Sequence, residues 1–255
     1  MQIPSISVAL LVRNEEFHLV DCLRQFDDFA DEIIVGVMPS VDNTRQIANA
    51  LAHKVIEFDH SEYLDQTKNV LIGHCTGEYV LLIDADERVT DELKDKLKEI
   101  AAERHNGAVE IPRRMFIKGK RIKGLGWQND AVLRFFKNGT LTHSKFHHTV
   151  ATVNGDILKL PRCDDYEILH FWAQHYADIL RKINYYAPVQ AEKLYSEGVR
   201  FSVRRTIYCF CREFLSRYIR SWGFLNGSIG FIVAVIMGWD RVQTLLYLEK
   251  HERND

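Results

Sequence analysis

The chain has 255 residues, is 46% hydrophobic and carries a formal net charge of -2, enough material for one large core or two small ones. Charge this balanced excludes a dedicated nucleic-acid binder, which needs a strongly basic domain. Its five cysteines, Cys22, Cys75, Cys163, Cys209 and Cys211, are scattered and lack C-x-x-C spacing, which excludes a disulfide framework and a zinc site.

The opening MQIPSISVALLVRNEE runs straight from a short apolar stretch into charge. It has neither the basic start nor the small-residue cleavage site of a signal peptide, so a cytoplasmic location is expected. Within it, SISVALLV (5–12) is a β-branched apolar run of strand length. FHLVDCLRQF has helical spacing, with Phe17, Val20, Leu23 and Phe26 on one side. EIIVGV (32–37) predicts a second buried strand, and 40–52 a helix capped by Ser40 or Asp42. KVIEF (54–58) is a third strand, followed by a helix over 63–77 that Gly77 closes. EYVLLI (78–83) is a fourth strand, and Thr90 caps a charged helix over 90–103. Continuous apolar strands alternating with helices predict βαβ units around a mostly parallel sheet.

Past about residue 107 the rhythm changes. AVEIPRRMFIKGKRIKG, AVLRFF and THSKFHHTVATV read as strands and hairpins, with turns such as Lys137-Asn138-Gly139. From 173 onward the pattern is helical. The expected organisation is therefore an α/β domain over 1–172 with a β-rich insertion, and a helical region over 173–255 that contacts membrane, acceptor or a second copy.

LLIDADER (81–88) poses the chemical question. Ligands of open α/β sheets bind at the carboxyl ends of the strands. Two carboxylates one residue apart, Asp84 and Asp86, repel each other there unless solvated or bridged by a cation. Oxygen ligands suit Mg2+ or Mn2+, ions usually shared with substrate phosphates. The alternative is an acidic cluster that caps the helix at 90.

VALLVRNEE, EIIVGVMPSVDNTRQIA, the Lys68-Asn69 helix and GEYVLLIDADERV resemble, in order, the blocks of family 2 glycosyltransferases with the GT-A (Rossmann-like) fold. The likeness is closest to the lipopolysaccharide-core β-glucosyltransferase type. It continues through Trp127-Gln128-Asn129-Asp130, Leu133-Arg134-Phe135-Phe136, Phe146-His147-His148, Ile168-Leu169-His170-Phe171 and the tail YIRSWGFLNGSIGFIVAVI. The resemblance implies an inverting, metal-dependent transfer of a hexose, glucose by the closest type, from a nucleotide-sugar, with UDP-sugars favoured, to a glycan or glycolipid acceptor such as lipopolysaccharide core. No nucleic acid is implied.

By the same resemblance Asp86 holds Mg2+ or Mn2+ on the donor diphosphate, and Asp84 contacts the ribose or assists the metal. Lys68 lies near the nucleotide; Arg13, Asn14 and Glu15 line the first strand-to-helix loop. Asp130 is the candidate general base, with a turn-capping aspartate as the alternative. Trp127 and Arg134 are candidate sugar or acceptor contacts, and a core tryptophan is the competing reading of Trp127. His147 is a candidate metal or phosphate contact, as is His170, with a satisfied core histidine as the alternative for each. One position departs from the family pattern: Val37 stands where an aspartate usually reads the base, while Asp42 and Thr44 match. A lost hydrogen bond of that kind costs roughly 1–3 kcal/mol.

Two other functions compete. A haloacid-dehalogenase-type phosphatase also has D-x-D after an apolar strand, but requires Thr or Val where Arg88 stands. A degenerate, non-catalytic domain that binds glycans or tethers partners to membranes would explain Val37. Residues 200–222 hold six arginines and one acid with aromatics between them, a composition suited to an anionic bilayer surface, with a core helix bearing a solvated arginine face as the alternative. The apolar run that follows, 223–239, is short for a membrane span.

Overall fold

The computed structural model describes residues 4–59, 64–143 and 151–254, without the side chains of 64, 65 and 254. In chain order its elements are β1 (Ile6–Val12), α1 (Glu16–Arg24), β2 (Glu32–Val37), α2 (Thr44–Leu51), β3 (Lys54–Glu57), α3 (Leu64–Ile72), β4 (Tyr79–Leu82), β5 (Glu87–Val89) and α4 (Asp91–Ala102). The insertion supplies β6 (Gly107–Ile117), β7 (Lys120–Arg121), β8 (Ala131–Lys137), β9 (Leu141–Thr142), β10 (Thr152–Val153), β11 (Asp156–Lys159) and β12 (Ile168–Ala173). Helices α5 (Tyr176–Ser196), α6 (Val203–Leu215) and α7 (Gly227–Asn254) complete the chain. This is the α/β class expected, with the β-rich insertion and the helical C-terminal region in place.

The chain forms two compact units. The first comprises Met1–Arg113 and Asp130–His170; the second comprises Arg114–Asn129 and Phe171–Asp255. Residues 114–129, which the sequence groups with the α/β part, thus belong to the helical unit. Leu125 and Ile122 bury their side chains there in one apolar cluster with Ile179, Ile183, Val233 and Ala234.

In the first unit the strands run β3-β2-β1-β4-β8-β6. The first four are parallel, and β8 is antiparallel to both β4 and β6. β11 lies parallel to β6, and β12 pairs antiparallel with β5 through Ile168–Val89 and His170–Glu87. Alternate side chains of β1 explain its continuous apolar run. Val8, Leu10 and Val12 face Leu19, Leu23, Leu93 and Leu97, whereas Ala9 faces Leu71 and Ile72 on the other side. β8 divides likewise: Phe135 stacks on Tyr79 at 5.3 Å on one face, and Phe136 enters the opposite cluster.

Three local expectations differ from the structure. Helix α1 buries Leu19, Cys22 and Leu23, and Phe17 is 71% exposed. A spacing of three throughout precesses by about 60° per step, so Phe17 lies opposite Phe26 rather than above it. Helix α2 begins only at Thr44, because 40–43 are held in a loop by side-chain hydrogen bonds. Helix α3 ends at Ile72, so Gly77 is not its cap. Gly77 is instead a close approach: its N–H donates to Ser7 Oγ at 2.8 Å, and a Cβ there would sit 2.6 Å from the Ser7 nitrogen. Ser7 in turn bonds Glu32, whose carboxylate also accepts from Thr76, which locks the starts of β1, β2 and β4 together. The cap at Thr90 is as expected, its hydroxyl accepting from the Leu93 N–H at 3.2 Å.

In the second unit α7 packs one face into two clusters, with Val233 and Ala234 in one and Leu245 and Leu248 in the other. The stretch Gly223–Arg253 has the length and composition to cross a bilayer, yet it serves here as the central helix of its unit.

The close approach at Gly77 yields a stability test. Gly77→Ala should cost about 1–3 kcal/mol by overpacking against Ser7, seen as a lower denaturant midpoint with an unchanged slope.

Candidate functional site

Because β1 and β2 are parallel, their carboxyl ends share one edge, and the loops that leave them meet. Asn14 takes a left-handed backbone, φ +53°, which asparagine tolerates better than most residues. Its side-chain oxygen accepts from the Val41 N–H at 2.9 Å, and its own N–H donates to Ser40 Oγ at 3.1 Å. The Glu15 N–H donates to Thr44 Oγ1 at 2.7 Å, and the Glu16 N–H to Asp42 at 3.1 Å. Asp42 also accepts from the Thr44 N–H and hydroxyl. Burial would raise the Asp42 carboxyl, but these donors outweigh it and hold the group below its usual range. The NEE loop and the 40–44 loop are therefore one zipped rim. Val37, at the last position of β2, turns into the large core beside Val12 and Val35. A side chain there does not face the rim.

β4 leaves the sheet at Leu82, and the turn 83–86 carries the acidic pair. Thr90 alone caps α4, whose first residue is Asp91, so Asp84 and Asp86 are not its caps. They enter a chain of charges. Arg134 of β8 bonds Asp84 and, at 3.0 Å, Glu87. Glu87 is fully buried and also accepts from Arg113 of β6 at 3.0 Å. Arg113 Nε then donates to Asp130 at 2.7 Å. The order is Asp84–Arg134–Glu87–Arg113–Asp130, carboxylate and guanidinium alternating over three strands and two loops. The second Glu87 oxygen accepts from the Asp84 N–H at 3.0 Å and so shapes the turn. Arg88 closes the turn from outside by donating to the carbonyls of Ala85 and His18.

Burial by itself would raise the Asp84 carboxyl. The Arg134 guanidinium, with Lys68 and His170 behind it, overrides that and holds the group well below the ordinary carboxylate range. Burial likewise opposes the charge on Arg134 and Arg113. Asp84 and Glu87 for the first, and Glu87 and Asp130 for the second, more than restore it. Cys22 lies directly beneath, with Sγ 3.7 Å from the Asp84 carbonyl, and burial pushes its thiol up to about 12. It is a neutral packing group there, not a nucleophile.

Asp86 is buried and its Oδ2 lies 3.3 Å from His170 Nε2 on β12. The other ring nitrogen of His170 is buried and finds no hydrogen-bond partner among the described residues. No group of three or more His, Cys, Asp or Glu side chains converges on a metal position among the described residues. The protein thus offers one carboxylate oxygen and one imidazole nitrogen side by side. That donor set fits a divalent ion whose remaining ligands are phosphate oxygens and water.

The residues singled out by sequence fall into four groups. Asp84, Asp86, Asp130, Arg134 and Lys68 gather in the first unit around the acidic turn. Arg13, Asn14 and Glu15 lie on the zipped rim of the same unit. Trp127 belongs to the second unit, with Trp172 at 5.2 Å and the Arg217 guanidinium 5.2 Å above its ring. His147 lies outside the described residues. Sequence reasoning missed Glu87 and Arg113. Glu87 is visible as the fourth letter of DADE, but its two partners lie 26 and 47 positions away, beyond any local signal.

Residues 7–154 match the profile of Glycosyl transferase family 2. An uncharacterized glycosyltransferase of Rickettsia typhi is 26% identical across 96% of this chain and 87% of its own. Another, from Rickettsia felis, is 28% identical across 96% of this chain and 89% of its own. The glycosyltransferase SunS of Bacillus subtilis matches over 38% of this chain at 29% identity. Among solved structures, the glucosyl-3-phosphoglycerate synthase of Mycobacterium tuberculosis, crystallised with Mn2+ and UDP, has a TM-score of 0.37 at 20% identity. It covers 46% of this chain, which spans 45% of its length. TarS of S. aureus has a TM-score of 0.48 at 15% identity, covering 98% of this chain and 55% of TarS.

Two outcomes test the charge chain. Glu87→Ala leaves two buried guanidinium groups without their shared carboxylate and should cost roughly 3–5 kcal/mol in chemical denaturation. The second outcome concerns acid. The unfolded Asp84 carboxyl takes up its proton at a higher pH than the folded one. Its stabilisation is therefore complete above about pH 4, the ordinary carboxylate value, and is lost as pH falls below it. Asp84→Asn should flatten the acid limb of the stability curve in that window.

Proposed function

The chain belongs to glycosyl transferase family 2, and from that premise we propose that it is an inverting, metal-dependent hexosyltransferase that takes its sugar from a nucleotide-sugar and delivers it to a glycan acceptor. The GT-A type of α/β fold provides the frame. The observation that carries the finer reading is the pairing of two sites by one buried carboxylate: Glu87 anchors, through two arginines, both Asp84 of the acidic turn and Asp130.

In this reading Asp86 and His170 hold Mg2+ or Mn2+ against the donor diphosphate. When bound, the ion neutralises charge that grows on the departing nucleoside diphosphate. Lys68 of α3, whose charge reaches Asp84, adds to the same neutralisation. Asp84, pinned as a carboxylate by Arg134, accepts hydrogen bonds from the ribose. Arg134 is then an anchor for this carboxylate rather than itself a sugar contact. Asp130, oriented by Arg113 Nε, takes the acceptor hydroxyl proton while that oxygen bonds to C1 of the sugar. The bond from C1 to the diphosphate breaks in the same displacement, so configuration inverts and no covalent intermediate forms.

We favour a UDP-sugar, with the base read by groups of the zipped rim, since Val37 turns into the core. Glucose as the sugar and lipopolysaccharide core as the acceptor are supported by the order of sequence blocks shared with that subgroup.

The reading is tested by incubating a panel of UDP-, GDP- and dTDP-sugars with the protein and Mn2+. Slow release of one nucleoside diphosphate is expected from the wild type and none from Asp86→Ala; equal release from both would end the metal assignment. With the acceptor identified, Asp130→Asn should lower kcat by about 10²–10⁴-fold with little change in donor affinity. A thermal shift against each nucleotide-sugar names the base, because a ligand that binds only the folded state raises the melting temperature.

A further inference from the structure

Helix α6 buries none of its own residues completely. Its inner side meets α7 through Phe210, whose ring leaves no room for a Cβ at Gly238, and through Phe214, 5.7 Å from Phe231. Its outer side is also apolar. Val203, Ile207, Cys211, Leu215 and Ile219 recur every fourth position through the helix and the π-turn that extends it, and Trp222 follows. A four-residue spacing advances by about 40° per step, so neighbouring side chains overlap and the row winds around the helix as a slanting apolar stripe. Val203, Ile207, Leu215, Ile219 and Trp222 are 49–64% exposed. Phe224 and Leu225 extend the apolar surface past the turn, where Gly223 packs so closely on the Arg217 carbonyl that any side chain would collide.

Arginine borders the stripe. Arg200, Arg204, Arg205, Arg212 and Arg220 are all exposed. The only acid between 200 and 222, Glu213, is already held by Arg217 at 2.6 Å and by Arg241 at 3.5 Å. A chain of net charge -2 therefore concentrates five positive charges beside an apolar stripe that folding does not require.

We propose that this face of α6 docks on an anionic lipid bilayer. The apolar stripe enters the acyl boundary, Tyr208 and Trp222 take the interfacial level, and the arginines meet lipid phosphates. Charge argues against a second copy of the chain as the occupant. A two-fold contact across the stripe would set five arginines against five more. The inference stands apart from the donor chemistry, because every residue it uses lies in the second unit.

The test uses the full chain. Sedimentation with vesicles of phosphatidylcholine containing about a quarter phosphatidylglycerol should carry the protein down, and added salt should weaken this. Vesicles of phosphatidylcholine alone should carry far less. The triple variant Ile207→Asp, Leu215→Asp, Ile219→Asp should lose the association, and Arg204→Glu with Arg205→Glu should weaken it by at least about tenfold. Both variants change exposed positions, so both should keep the far-UV circular dichroism and the melting temperature of the wild type. Absence of wild-type binding to either vesicle, or equal binding by wild type and the triple variant, overturns the proposal. So does a concentration-dependent dimer that the triple variant dissociates while vesicles bind neither protein. Nucleotide-sugar hydrolysis, measured in parallel, reports separately on the transferase reading.

Discussion

A carboxylate with no solvent contact, shared by two guanidinium groups, is the constraint on which the site depends. Glu87 cannot sit in the interior as an isolated charge; desolvation would be prohibitive. Arg134 and Arg113 compensate it, and each also bonds a second carboxylate. Arg134 Nη2 holds Asp84 as well as Glu87, and Arg113 Nε holds Asp130, so neutralising one buried group orients two others. The arrangement ties the turn after β4 to the loop before β8, segments that are separated in sequence and brought together by the antiparallel pairing of β8 with β4 and β6.

The parallel half of the sheet contributes differently. Its order brings the carboxyl ends of β1, β2 and β4 to one edge, and backbone N–H groups of the first loop find hydroxyl and carboxylate acceptors on the second. At the opposite edge the Ser7–Glu32–Gly77 contacts hold the same strands by their starts. A rim fixed from both ends can present charged side chains without the rearrangement that would dilute their effect on a developing charge.

The helical unit solves another problem. α7 is apolar enough to need cover along much of its length, and α5 and α6 provide it. α6 has apolar residues to spare after doing so, and the arginine border gives that surplus a chemical direction.

Much was legible in the residues alone. Continuous apolar runs of strand length, alternating with helical spacing, determined the α/β class, because a strand buried on both faces admits no polar alternation. The sequence also marked Asp84 and Asp86 as candidates through residue type and position at the end of a strand, and Asp130 through the family resemblance. It misplaced the inward face of α1 and the end of α3, since a period of three mimics a stripe over two turns and a glycine signals close packing as well as a cap. Only the tertiary structure decided which charges face one another. Glu87 finds its arginines, and Asp86 its histidine, across 26 to 84 positions, a separation that strand pairing closes and local pattern cannot encode. It also decided that residues 114–129 join the helical unit, because the buried surface of Ile122 and Leu125 is completed by α5 and α7 rather than by their neighbours in sequence.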